Sequence, residues 1–427
     1  MAARAGIVVT GTEVLTGRVA DRNGPWLAEA LRGIGVDVGS VVVVGDRPDD
    51  LTAALGFLAG SGVDLVLTTG GLGPTADDLT AAVVGDFQGR PSVLDPELEQ
   101  RIADVVARLS ARRGWHTDPA ATAAGTAKQA MVPAGATVVE PVGTAPGLVV
   151  PVADGRSGPP VLVLPGPPSE LQGMWPAALA TDLVRRALAG AAELRQSTLR
   201  LWGTPESELA ATLRRVDDEL AGLEVTTCLR DGELEIVTRY DPDAALAYAR
   251  LRRAVDEDFG ATLYSDGPTL DELVTAALAD AGWRVAVGDS CTAGLVTARL
   301  TEPAGASAWL LGGVAAYANS AKEQLLDVPA ELIAAHGAVS PEVARAMAEG
   351  ARHRFGADVG IGVTGIAGPG GGTPDKPVGT VHLAVVAPEQ VLTRSVVLRG
   401  GRDAVRQRTT TLVLHLLREL LLGGPPA

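Results

Sequence analysis

Along the first seventy residues, short runs of β-branched side chains alternate with stretches whose apolar residues recur at helical spacing. Residues 6–10, 36–44 and 64–69 read as strands, and 25–34 and 50–60 as helices between them. That alternation predicts a parallel α/β sheet. Pro25 suits a first helical turn, where its missing N–H is no loss, and Gly33 and Gly35 mark the helix end. A longer amphipathic helix is expected over 96–113, with Leu98, Ile102, Val105, Val106 and Leu109 on one face. Strands are expected at 147–152 and 161–164.

The pattern changes near residue 196 to strand (197–202), helix (205–216), two strands and a helix (242–259). Asp231-Gly232, flanked by alternating apolar and polar residues, is a two-residue hairpin signal. A second α/β region begins near Leu263, with helices at 270–281 and from Thr292, and a strand at 284–287 between them. Strands at 358–363, 378–386 and 391–397 follow. A final helix spans 402–422, where Val413, Leu416, Leu417 and Leu420 share a face suited to core or subunit contact. The expected fold class is α/β in three segments. Two α/β domains, 1–175 and 263–427, are joined by a small α+β module, 176–262, a spacer or dimerisation element.

A length of 427 residues allows about three domains at roughly 150 each, in agreement with that division. Hydrophobic residues make up 46% and charged residues 20%, the balance of a chain that packs a core. The net charge is −15 and no segment is basic, so nothing drives counterion release from a nucleic acid or attraction to anionic lipid. Neither nucleic acid nor membrane is expected as a partner. Cys228 and Cys291 are too few for a disulfide scaffold or a thiolate zinc site, which points to a reducing, cytoplasmic setting. The N-terminal segment reads as a buried strand rather than a signal peptide, and no run approaches 18 apolar residues.

Three glycine-bearing strand ends offer chemistry. At TTGGLGPTADDLT (68–80), Gly70, Gly71 and Gly73 let backbone amides converge on an anion. Asp77 and Asp78 supply hard oxygen ligands for a divalent metal beside it, with Glu13 of GTEVLTG placed to share the metal or to bind a ribose hydroxyl. At GDSCTAGL (288–295), Ser290 and Cys291 compete as nucleophile at a helix start whose amides suit an oxyanion, and Thr292 caps that helix or contacts substrate. The chain holds three lysines against 33 arginines, and one of them is Lys322 in AAYANSAKEQLL. Lysine, unlike arginine, loses its proton when buried and can serve as a base, which favours a Ser290 and Lys322 pairing over a thiol. The third end is the glycine-rich loop VTGIAGPGGGTPDKPVGT (363–380). Thr364, Gly365 and Gly368 there can approach a ligand phosphate closely, and Arg402 can pair with a phosphate bidentately.

These strings resemble the CinA family over essentially the whole chain. GTEVLTGRVADRN, TTGGLGPTADDLT, GTAPG and LPGPPSEL are similar to its molybdopterin-binding-like domain. DSCTAGLV, GGVAAYANSAKEQLL, HGAVS and VTGIAGPGGGTPDKPVGT are similar to its nicotinamide-nucleotide amidase domain. The resemblance implies that the C-terminal domain hydrolyses nicotinamide mononucleotide to nicotinate mononucleotide and ammonia without a cofactor. It places the nucleophile on Ser290, the base on Lys322 and a supporting tyrosine on Tyr317, with substrate contacts at Thr364 and at Arg402 or Arg406. It further implies cleavage of ADP-ribose by the N-terminal domain with a divalent metal at Glu13, Asp77 and Asp78, and a homodimer. Two alternatives are a pyrophosphatase with a silent C-terminal domain and a nucleotide-binding regulator without turnover. The sequence departs from the usual pattern at Asp289, where a Glu is common, at Ala293, where a Gly is common, and at Thr12, where an Asp is common.

Overall fold

The computed structural model of the chain describes residues 3–114 and 118–423. They form two compact units, Met1–Arg195 and Gln196–Ala427.

The first unit begins with β1 (Arg4–Thr10), α1 (Thr12–Leu15), α2 (Asn23–Gly33), β2 (Asp37–Val44), α3 (Pro48–Gly60) and β3 (Leu65–Thr69). Then come α4 (Thr80–Gln88), β4 (Ser92–Leu94), α5 (Pro96–Arg113), α6 (Pro119–Gln129) and β5 (Met131–Pro133). It closes with β6 (Thr137–Val139), β7 (Gly147–Val150), β8 (Val161–Leu164), α7 (Pro168–Ala180) and α8 (Asp182–Ala187). The six-stranded sheet has the order β2-β1-β3-β8-β7-β6. Its first four strands are parallel, whereas β7 pairs antiparallel with both β8 and β6, so the sheet is not parallel throughout as expected. Residues 151–160, which join β7 to β8, contain no helix, and a parallel crossover needs a longer connection. The boundary expected after residue 175 falls inside α7. Trp175 packs edge-to-face on Trp26 at 5.9 Å, and Ala178, Val184 and Leu188 fill the same core, so the unit runs on to Arg195.

In the second unit β9 (Arg195–Trp202), α9 (Glu206–Arg215), β10 (Leu223–Arg230), β11 (Glu233–Tyr240), α10 (Ala245–Phe259) and β12 (Leu263–Asp266) build the small module. Its sheet order is β10-β11-β9-β12. The hairpin forms where expected, with Asp231 at φ 53 and Gly232 at φ 92, the left-handed pair such a turn requires. Next come α11 (Leu270–Ala281), β13 (Val285–Asp289), α12 (Leu295–Leu300), β14 (Leu310–Ala315), α13 (Asn319–Leu326), α14 (Ala330–His336) and α15 (Pro341–Phe355). The chain ends with β15 (Val359–Gly365), β16 (Thr380–Val386), β17 (Val391–Val397) and α16 (Arg402–Leu421). This second sheet has the order β14-β13-β15-β16-β17, parallel in its first three strands, with β16 pairing antiparallel to both β15 and β17.

The module is not a detached spacer. His415 of α16, 1% exposed, stacks on Trp202 of β9 with ring centroids 3.9 Å apart. Its Nε2 lies 3.1 Å from Glu233 Oε1, which also accepts the Tyr264 hydroxyl at 2.6 Å. Module and last α/β domain therefore share one compact unit across residue 262. Among the described residues no helix is long and apolar enough to cross a membrane.

One helix sets the geometry of the second sheet. α15 lies against β15 where Gly360 and Gly362 present no side chain, and a Cβ on Gly362 would stand 1.9 Å from the Ala344 carbonyl oxygen. On its other flank α15 seats α13 by the same device, since a Cβ on Gly350 would stand 1.9 Å from the Leu326 carbonyl oxygen. The strands and the α13 helix are thus held by backbone contacts that leave no room for a methyl group. Gly362→Ala is expected to destabilise the second unit by about 2 kcal/mol or more, read as a lowered urea midpoint; an unchanged midpoint would contradict this packing.

Candidate functional site

β13 and β15 are parallel neighbours, so the segments that leave their carboxyl ends lie side by side, where ligands of open α/β sheets bind. Ser290 directly follows β13 and its amide donates to the Val363 carbonyl of β15 at 2.9 Å. Thr364 and Gly365 end β15. A cavity of about 210 Å³ opens there, bordered by Ser290, Cys291, Tyr317, Asn319, Lys322, Thr364, Gly365 and Arg402. Residues that follow β13 and β14, end β15 and begin α16 thus share one cavity, which joins two of the three glycine-bearing segments read from the sequence.

Lys322 is the most unusual of them, being 1% exposed on α13. Its Nζ donates to the Ala316 and Tyr317 carbonyls, each at 3.0 Å. Burial pushes its pKa below the ordinary lysine value, because an ammonium loses hydration that two carbonyl oxygens only partly replace. Cys291 does not compete as nucleophile. Burial and the neighbouring Asp289 push its thiol up to about 12, and a protonated thiol is unreactive.

Other expected roles change. Thr292 is fully buried, its hydroxyl donates to Asp289, and its carbonyl accepts Arg406 at 3.0 Å, so it faces the protein rather than the cavity. α12 begins only at Leu295, because Ala293 and Gly294 adopt left-handed φ of 53 and 96. The Gly294 amide donates to Asp289 Oδ2 at 2.7 Å and the Ala293 amide to the Ser290 carbonyl at 3.2 Å. Those turn amides are already paired, contrary to the oxyanion role expected of them. The Tyr317 hydroxyl meets Arg402 at 3.4 Å, and its backbone carbonyl is what holds Lys322. Of the two candidate arginines, Arg402 borders the cavity, while Arg406 supports the nucleophile turn from α16. Gly368 does not line the cavity, and its carbonyl accepts Arg402 at 2.9 Å.

Sequence reasoning missed Asn319, which borders the cavity, and Lys376, which ties the glycine-rich loop down. The Lys376 Nζ donates to the His336 and Val339 carbonyls at 2.9 and 2.7 Å. The scarcity of lysine that singled out Lys322 pointed equally to Lys376.

The first unit has its own cavity, of about 670 Å³, at the carboxyl ends of β1 and β3. Glu13, Gly70, Gly71, Gly73, Asp77 and Asp78 all border it. Gly71, at φ 65, could not carry a side chain, since a Cβ would stand 2.2 Å from Thr80 Oγ1. The carboxylates do not gather around a metal. Asp78 accepts the Thr75 amide and hydroxyl at 2.9 and 2.6 Å, Asp77 accepts the same hydroxyl, and Glu13 is exposed. Among the described residues no three His, Cys, Asp or Glu side chains converge as a metal site, and the Asp77 and Asp78 carboxylates turn to Thr75 instead. Two further residues escaped the sequence reading. Asn23 joins the ends of β3 and β8 through Thr69 Oγ1 and the Gly166 carbonyl, and Glu170 has its pKa raised by burial.

Comparison with known proteins follows the same division. Residues 268–421 match the family model described as "CinA C-terminal domain", and residues 6–185 the one described as "Probable molybdopterin binding domain". The chain is 57% identical to a CinA-like protein of Mycobacterium sp. (strain JLS), covering 99% of this chain and 100% of that one. It is 53% identical to a CinA-like protein of Mycobacterium tuberculosis, covering 100% and 99%. Among solved structures, the competence damage-inducible protein A of Klebsiella pneumoniae is 35% identical over 36% of this chain and 96% of that chain, with a TM-score of 0.35.

The left-handed Ala293 is a local strain that glycine would relieve. Ala293→Gly is expected to stabilise the second unit by about 0.5–1 kcal/mol after the entropy of the unfolded glycine is counted. Urea unfolding checks this, and a loss of stability would contradict it.

Proposed function

The chain belongs to the CinA family, and from that premise we propose that its C-terminal domain hydrolyses a carboxamide, that of nicotinamide mononucleotide. The observation that carries this reading is a serine and a buried, carboxylate-free lysine on one cavity, with an arginine at its rim.

A neutral Lys322 amine has two N–H bonds and one lone pair. With both bonds donated to the Ala316 and Tyr317 carbonyls, the lone pair is left to take a proton. In the proposed reaction it takes the Ser290 hydroxyl proton as Oγ attacks the amide carbon. The lysine then returns that proton to the departing nitrogen, releasing ammonia. Lys322 then takes a proton from water as it attacks the ester and passes it to the departing Ser290 Oγ, which restores the serine hydroxyl and frees the acid, ionised to the carboxylate in solution. The Thr364 hydroxyl donates to the Ala338 carbonyl at 2.7 Å, so it meets the substrate as an acceptor, which suits a carboxamide N–H. Arg402 supplies the fixed positive charge for a phosphate, and the Tyr317 ring offers an aromatic face to the pyridine.

For the N-terminal domain we propose nucleotide binding, of ADP-ribose in the first instance. Its cavity lies at the strand ends where such ligands bind and falls within the usual size range of ligand pockets. Its carboxylates are assigned no step in cleavage.

Ammonia release from nicotinamide mononucleotide in EDTA is expected of the wild type. Ser290→Ala and Lys322→Arg are each expected to lose about a thousandfold or more in kcat, because arginine stays charged where lysine does not. Since the neutral amine is the active form, kcat/KM should rise with pH and level off at an apparent pKa below the ordinary lysine value of 10.5. Absence of wild-type activity, or full activity in Lys322→Arg, would contradict the mechanism.

A further inference from the structure

The nucleophile turn, residues 290–294, is held from three sides. β15 takes the Ser290 amide through the Val363 carbonyl, α16 reaches the Thr292 carbonyl through Arg406 at 3.0 Å, and the carboxylate of Asp289 closes the interior. Asp289 is the last residue of β13 and is 1% exposed. One of its oxygens accepts the Thr292 hydroxyl and the other the Gly294 amide at 2.7 Å.

We propose that Asp289 is the positioning residue of the nucleophile: its carboxylate clamps the turn through Thr292 and Gly294 and so fixes where Ser290 Oγ stands relative to Lys322. This inference rests on the carboxamide-hydrolase reading of the site. Both partners of Asp289 are donors, so the position calls for a group that only accepts. An amide in its place would turn an N–H toward one of those donors; the Thr292 hydroxyl could accept it only by turning its own proton away from residue 289, and neither donor would offer the second amide N–H a partner. Burial raises the Asp289 pKa above the ordinary aspartate value, and the hydrogen bonds from Thr292 and the turn amides pull against that rise and hold the carboxylate form. The clamp also holds Ala293 at its left-handed φ of 53, a conformation a non-glycine residue keeps only where its surroundings impose it. Asp289 touches no cavity wall itself. Its influence reaches the reaction through the turn alone.

The test uses the full chain with Asp289→Asn, Asp289→Glu and, as a milder variant that removes one donor only, Thr292→Val. In Asp289→Asn, amide hydrogen exchange over 290–294 is expected to quicken at least tenfold. kcat for ammonia release should fall at least tenfold, while KM for nicotinamide mononucleotide stays within twofold. Asp289→Glu, which keeps an acceptor-only group, should recover part of kcat, and Thr292→Val should fall between wild type and Asp289→Asn. Unchanged exchange in Asp289→Asn overturns the clamp. Faster exchange with an unchanged kcat, or a loss confined to KM, overturns the positioning role. A wild type that releases no ammonia overturns the hydrolase reading, while the exchange result still decides whether Asp289 holds the turn.

Discussion

The C-terminal site depends on a primary amine buried at the wall of the cavity, with two carbonyl oxygens as its hydrogen-bond partners. Among the described residues Lys322 forms no ion pair; its contacts are the Ala316 and Tyr317 carbonyls, both on the segment that leads into its own helix. A charged ammonium in such a place keeps little of its hydration. Burial lowers the lysine's pKa from its ordinary value and so eases loss of the proton, and a neutral amine is a base. α13 and β15 are seated on α15 through glycines at 350, 360 and 362 that allow backbone to meet backbone. The same helix therefore fixes the base on one side and the ends of the sheet, with Ser290 and Thr364, on the other. Precision at the site is inherited from these contacts rather than from the loops that border the cavity.

Much of this was legible in the sequence because strand ends announce themselves. Ser290, Thr364 and Gly365 follow β-branched runs, and Lys322 stands out in a chain that otherwise uses arginine. Their convergence follows from parallel strand order, a property of the α/β pattern. Thr292 was misjudged because a hydroxyl three residues after an aspartate can turn inward to it as readily as outward to a ligand. The expected helix start at Thr292 failed for a related reason: Ala293 and Gly294 take left-handed conformations, which delay α12 to Leu295. α15 went unread because only Val343 and Met347 of its buried residues are large, the others being Ala344, Ala348, Gly350 and Ala351.

The N-terminal unit shows where composition misleads. Adjacent Asp77 and Asp78 suggest a metal, yet both carboxylates turn to Thr75 and share its hydroxyl. Adjacency in sequence does not make two side chains point at one place. The domain limits were displaced for a comparable reason. Trp175 looks like the end of a domain by pattern, but its ring belongs to the core that includes Trp26. Likewise the small module, poor in reactive side chains, is bound into the second unit by the His415 stack on Trp202 and by Glu233, which no pattern of single residues could reveal.

The most direct measurement is the ionisation of Lys322 itself. The chain contains three lysines, so protein carrying carbon-13 at the lysine ε position should give three resonances to follow by NMR as pH rises. One resonance is expected to titrate below the ordinary lysine value of 10.5 and to be missing from Lys322→Met. Three resonances that all titrate near the ordinary value would contradict the neutral base on which the proposed chemistry rests.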